Sequence, residues 1–224
     1  MSRTAAAPLT LCALLAFSAC ARPLSPTETM VAKSLFGDSL DTSRVTVTAG
    51  IGALPLPQAR STAAGPAMAE ARAAPDDLCV RKRSTRRHWT WPAAFVLRED
   101  VFFSYDFYLA DTFRGFPESV PYPTALIMAH ELVHVWQWQN RARTGYTVRG
   151  SAGETVENVD PYWFVADRDA EFLTYGYEQQ GAIVQDFVCY ALFDAADPKL
   201  DEIAALLRPV LPVDDFLATL DAAR

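Results

Sequence analysis

Five consecutive residues, His130-Glu131-Leu132-Val133-His134, constrain this chain more than any other feature. They lie in a stretch, 124–143, that holds no Gly or Pro and carries Leu126, Ile127, Ala129, Leu132, Val133, Val135 and Trp136. Such a stretch predicts one broadly buried helix. Thr124 suits its N-cap and Gly145 its end. On a helix, residues four apart share a face, so both imidazoles point the same way. That spacing lets two ring nitrogens bind one zinc ion, with Glu131 beside the metal rather than on it. Glu131 is then the candidate general base, taking a proton from an attacking water. The bland alternative is a helix that buries two satisfied histidines and solvates its glutamate. With only 3 histidines in the chain, this register is not an expected coincidence.

A catalytic zinc site has three protein ligands and an open position. The third ligand is expected among the downstream acids Glu154, Glu157, Asp160, Asp167, Asp169, Glu171, Glu178 and Asp186. Glu178 is the best of them. It opens an apolar stretch, 178–192, that predicts a second helix able to pack on the first and bring a carboxylate to the imidazoles. Glu171 is the runner-up, on an earlier helical turn. Any of these acids could instead be an ordinary helix-start residue, favoured there by the macrodipole. His88 follows Arg86 and Arg87, whose charges disfavour a nearby dication, so it reads as structural or surface.

The residues 129–137, AHELVHVWQ, resemble the "HELxHVxQ" helix of a bacterial zincin-like group. That group includes the metallopeptidase core domain of contractile injection system proteins and the Vgr-related proteins. The residues 178–187, EQQGAIVQDF, are similar to the "EQQAxIVxDYF" segment of the Vgr-related set. Gly181 stands where that pattern has Ala, and Phe187 where it has Tyr. Both read as mild changes on a helix face that leave the ligands untouched. The resemblance spans roughly residues 105–192. It implies zinc on His130, His134 and Glu178 with Glu131 as base, and says little about substrate.

The N-terminus reads as an export signal. Arg3 is followed by an apolar run over 9–17, too short for a membrane span. The run ends in Phe17-Ser18-Ala19-Cys20, which resembles a lipoprotein box that would leave Cys20 as the acylated first residue. Plain secretion with cleavage near Ala19 or Ala21 is the alternative. Either route predicts an exported protein, and the first a lipid-anchored one facing the periplasm or cell surface. Cys79 and Cys189 then remain as an even pair, either a disulfide in an oxidising compartment or two buried thiols. The net charge of −7, one unit more negative without Arg3, argues against nucleic acid as a partner. Arg81, Lys82, Arg83, Arg86 and Arg87 form a basic cluster that reads as a solvated loop sooner than a headgroup-binding patch.

Three regions follow: a signal over 1–20, an Ala/Pro-rich tether over 21–75 and a zincin-like domain over 76–224. Within the tether, 27–35 predicts a short helix, 45–48 alternates like a short strand, and 53–75 reads as linker. In the domain, 94–97 and 101–103 read as strands. The segment 102–109 is a candidate edge strand for an extended peptide, with core packing as the plainer reading of its aromatics. The segment 162–164 reads as extended, and the tail 197–224 as one or two short helices. Tyr175 and Tyr177 flank Glu178 and suit either oxyanion stabilisation or aromatic packing. There is no internal repeat and no membrane span after the signal.

The expected fold class is therefore α+β, mainly α, with the metal helix packed on a second ligand-bearing helix beside a small sheet. The expected function is zinc-dependent hydrolysis of a peptide or protein substrate at the cell envelope. The alternatives are a non-catalytic, zinc-stabilised envelope lipoprotein and a secretion-system accessory module. Cys20→Ser is expected to move the protein from the membrane to the soluble fraction. Unchanged fractionation would remove the lipid-anchor reading.

Overall fold

The computed structural model describes residues 21–51, 68–70, 77–86, 91–167 and 169–222. The signal segment with Cys20, His88 and most of the linker lie outside the described residues. The first part of the expected tether is not a tether. Ser25 caps α1 (Pro26–Phe36) in a capping box with Glu28, and Pro26 sits at the first helical position, where its missing N–H costs nothing. Val31, Ala32, Leu35 and Phe36 fall on one face of α1 and are buried in the main core. Upstream, β1 (Ala21–Pro23) pairs antiparallel with β2 (Thr46–Ala49). The folded unit therefore includes 21–51.

Strand β3 (Met68–Glu70) is set apart from this sheet. Strand β4 (Ala94–Leu97) and β5 (Asp100–Phe103) form a hairpin whose turn places Arg98 at φ 63°. Because β5 also runs parallel to β2, the mixed sheet has the order β1-β2-β5-β4. The candidate edge strand at 102–109 is corrected here. Its first residues belong to central β5, with Phe103 packed in the core as its plainer reading had it, and the edges of the sheet are β1 and β4. Strand β6 (Ser119–Pro121) pairs antiparallel with β3 in a separate two-stranded ribbon.

Helix α2 (Thr124–Gln139) follows directly. Pro123, not Thr124, is its N-cap, and the Thr124 hydroxyl is buried without a partner. Asn140 ends it, and a single turn, α3 (Arg141–Thr144), carries the chain to Gly145 in the left-handed region. Next come α4 (Val148–Glu157), α5 (Tyr177–Phe193), α6 (Pro198–Leu207) and α7 (Val213–Asp221). The segment 162–164 is irregular chain. The most extensive packing joins α2 to α5, with Leu132, Val133 and Trp136 in one core with Ile183, Val184 and Phe187. The long run of apolar positions in both helices is explained by this: each is covered on nearly every side. Cys79 and Cys189 form a disulfide, with Cα atoms 5.6 Å apart, that ties the 77–86 strap to the back of α5. Among the described residues no helix is long and apolar enough to cross a membrane.

One buried carboxylate locks the N-terminal segment in place. Glu28 accepts from both terminal nitrogens of Arg22 at 2.7 and 2.8 Å, from Ser25 N at 2.7 Å, and from Thr112 N and Oγ1 at 3.0 and 2.8 Å. Burial pushes its pKa up, but Arg22 and the backbone donors of Ser25 and Thr112 outweigh that and hold it below its ordinary value. A lowered folded-state pKa means stability that is present above the unfolded value and lost as pH falls through the folded one. Glu28→Gln is therefore expected to cost about 3 kcal/mol of unfolding free energy at neutral pH in urea titrations. The gap should close on acidification below about pH 4. Equal urea midpoints at neutral pH would contradict this role.

Candidate metal centre

Helix α2 places His130 and His134 one turn apart on the face that meets α5, where Glu178 sits in the first turn. His130 Nε2 lies 3.3 Å from Glu178 Oε2, His134 Nε2 lies 3.4 Å from the same oxygen, and the two Nε2 atoms are 3.2 Å apart. Three donors bonded at about 2.0–2.1 Å to one tetrahedral ion stand about 3.3–3.4 Å from each other. The observed triangle has that edge length. All three residues are buried, and together they could hold a metal ion.

The atoms behind the triangle fix its orientation. Ser151 Oγ, on α4, donates to Glu178 Oε1 at 3.0 Å, which leaves Oε2 for the metal point. His134 Nδ1 is 2.8 Å from Gln137 Oε1. The Gln137 amide nitrogen donates to Tyr177 O at 3.2 Å and to Gln180 Oε1 at 3.0 Å, and Gln180 Nε2 donates to Tyr175 O at 2.8 Å. That relay turns the Gln137 oxygen towards His134, so Nδ1 carries the hydrogen and the Nε2 lone pair faces the centre. The His130 ring is held by packing instead: its Nδ1 is buried without a partner, and the Tyr162 ring stands edge-on at 5.6 Å.

Gly181 decides how near α5 can come. A Cβ there would lie 2.5 Å from His130 Cε1 and 2.7 Å from Nε2. The reading of Gly181 as a mild change that leaves the ligands untouched is corrected: the position abuts a ligand ring, and a Cβ there would force that ring to shift.

The charges have distinct surroundings. Burial disfavours protonated His130 and lowers its pKa. Burial also opposes charge on His134, but the Glu178 and Glu131 carboxylates outweigh it and push that pKa up to about 9. For Glu178, burial is outweighed by the two imidazoles, which hold it well below the carboxylate range. The triad thus keeps an anion and retains a positive charge beside it, the demand a divalent cation meets in place of the proton. Glu131 differs. It lines the same cavity, its Oε2 has no partner, and burial raises its pKa to about 8.

The cavity, about 450 Å³, opens onto the triad and is also lined by Tyr146 and Tyr162. Burial pushes the Tyr146 hydroxyl up to about 12 and raises that of Tyr162 as well, so both keep their protons at neutral pH. These are the tyrosines at the site. The oxyanion reading of Tyr175 and Tyr177 is corrected, because their hydroxyls donate to Val165 O and Gly145 O at 2.9 and 2.8 Å. Glu171 is exposed at the start of a one-turn 3-10 helix, and Asp169 is exposed as well. Asp186 pairs with Arg81 at 2.6 Å, Asp160 accepts from Ser84 N, and Glu154 accepts from Glu178 N. Gln137, Ser151, Tyr146 and Tyr162 had no role in the sequence reading. Only Gln137, three residues past His134 on the same face, carried a local signal.

Purified protein is expected to bind about one equivalent of divalent metal, lost in His134→Ala and Glu178→Ala and kept in Glu171→Ala. Gly181→Ala should weaken metal retention at least tenfold in chelator competition while circular dichroism stays native. Full loading of Glu178→Ala would move the third ligand elsewhere. Comparison with protein-family models, with curated proteins and with solved structures returns no match.

Proposed function

We propose that this protein is a zinc-dependent peptidase of the zincin-like kind, acting at the bacterial cell envelope. The observation that carries the reading is the pairing of a three-ligand triad with a free, buried carboxylate on one cavity. Zinc is the metal that two imidazoles and one carboxylate at this spacing suit best. Held by His130, His134 and Glu178, it supplies Lewis-acid polarisation of a carbonyl and acidification of water. Glu131 is placed to take the proton: it lines the cavity beside the triad and has a buried oxygen with no other partner. Tyr146 and Tyr162 retain hydroxyl protons on the same cavity and are positioned to donate to negative charge that develops there. The unpaired side of β4 borders the cavity and offers backbone groups to an extended peptide.

Location at the envelope rests on the export signal, and the Cys79–Cys189 bridge is of the kind an oxidising compartment sustains. A purely stabilising zinc module calls for a closed fourth position. The acids expected to close it, Asp169 and Glu171, are exposed and outside the triad. Glu131→Gln is expected to keep its zinc and lose about 10²–10⁴-fold in peptide hydrolysis. Wild-type rates in a fully loaded variant would remove Glu131 as base.

A further inference from the structure

Helix α4 turns Val148, Ser151, Ala152, Thr155 and Val156 towards the cavity. These positions follow the i, i+3, i+4, i+7, i+8 pattern of a single helix face, one that ordinarily packs into a core. Here it does not. Val156 is 52% exposed, and Leu97, on β4 and also lining the cavity, is 46% exposed. Two apolar walls therefore flank the metal triad without covering each other. The charged residues of α4 are not among those lining the cavity, and Glu154 accepts from the backbone at the start of α5. Among the described residues lining the cavity, the carboxylates are Glu131 and Glu178, and there is no Lys or Arg. Arg81, whose charge reaches His130, is tied to Asp186 at 2.6 and 3.0 Å.

That lining has consequences for a ligand. Apart from the metal centre itself, a free C-terminal carboxylate or an acidic side chain would meet no Lys or Arg among the described lining residues. A free N-terminal ammonium would meet only carboxylates already engaged as metal ligand and base. An uncharged apolar side chain would bury Val156 and Leu97 and gain from leaving water. Its main chain, if extended, could pair with the open side of β4.

We propose that the groove between β4 and α4 is a subsite for a large apolar side chain of an extended polypeptide. The substrate is then the interior of a chain next to an apolar residue, not a chain end. This rests on the peptidase reading and adds to it the class of substrate.

The test uses full-length, zinc-loaded protein and two peptides blocked at both ends, identical but for a central Phe-Leu or Asp-Lys pair. Hydrolysis is followed with wild type, and equilibrium binding with Glu131→Gln by calorimetry. The Phe-Leu peptide is expected to be cut and bound at least tenfold better. Val156→Asp and Leu97→Asp, both at exposed positions, should each erase that preference with zinc content unchanged. Equal binding of the two peptides, or a preference untouched by both substitutions, would overturn the subsite. A binding preference without hydrolysis by wild type would uphold the subsite and remove the peptidase reading. Hydrolysis without preference would do the reverse.

Discussion

The apposition of α2 and α5 is the contact on which everything else depends. Neither helix holds a site by itself. Two imidazoles on α2 and one carboxylate on α5 become a triad only because the helices meet at the distance Gly181 allows. The surrounding elements keep that distance. The core around Trp136 and Phe187 fills the interface, the Cys79–Cys189 bridge braces the far side of α5, and Ser151 on α4 steadies the ligand carboxylate. Close packing makes such an interface intolerant of even one added carbon, and a glycine stands here in a helix interior despite its cost to helix stability.

The same interface concentrates buried charge. Glu131, Glu178, His130 and His134 are each at most 7% exposed. Burying ionisable groups is costly unless they are paired. Glu178 and the histidines offset one another, whereas Glu131 has a buried oxygen with no partner. On the proposed reading, that unpaired oxygen beside the cavity is the one that receives a proton. Glu28, another buried carboxylate, is the opposite case: five donors satisfy it, and its work is structural.

What could be read in the sequence followed from local spacing. The His130–His134 register, the apolar runs of α2 and α5 and the β4 and β5 segments each occupy a window of one element; the stop expected at Gly145 instead ends α3, because α2 already stops at Asn140. What could not be read depends on partners far along the chain. The 21–51 segment looks like tether because Ala, Ser, Thr and Pro dominate it. Its few apolar side chains matter only once α1 meets α2, where Trp136 Nε1 donates to Ser39 Oγ at 2.9 Å. Edge position in the sheet passed from 102–109 to β4 because β2, from the N-terminal segment, pairs with β5. Ser151 and Tyr146 reach the site from elements with no motif of their own. Gly181 was visible as a departure from a pattern, but its meaning required the distance to His130.

The central claim is that His130, His134 and Glu178 together hold one zinc ion with a position left open. Zinc K-edge X-ray absorption on the metal-loaded protein measures this directly. The account predicts a nitrogen/oxygen shell at about 2.0–2.1 Å with the outer-shell scattering of two imidazoles and no sulfur. A sulfur shell near about 2.3 Å, or a shell of oxygens alone without imidazole scattering, would contradict it.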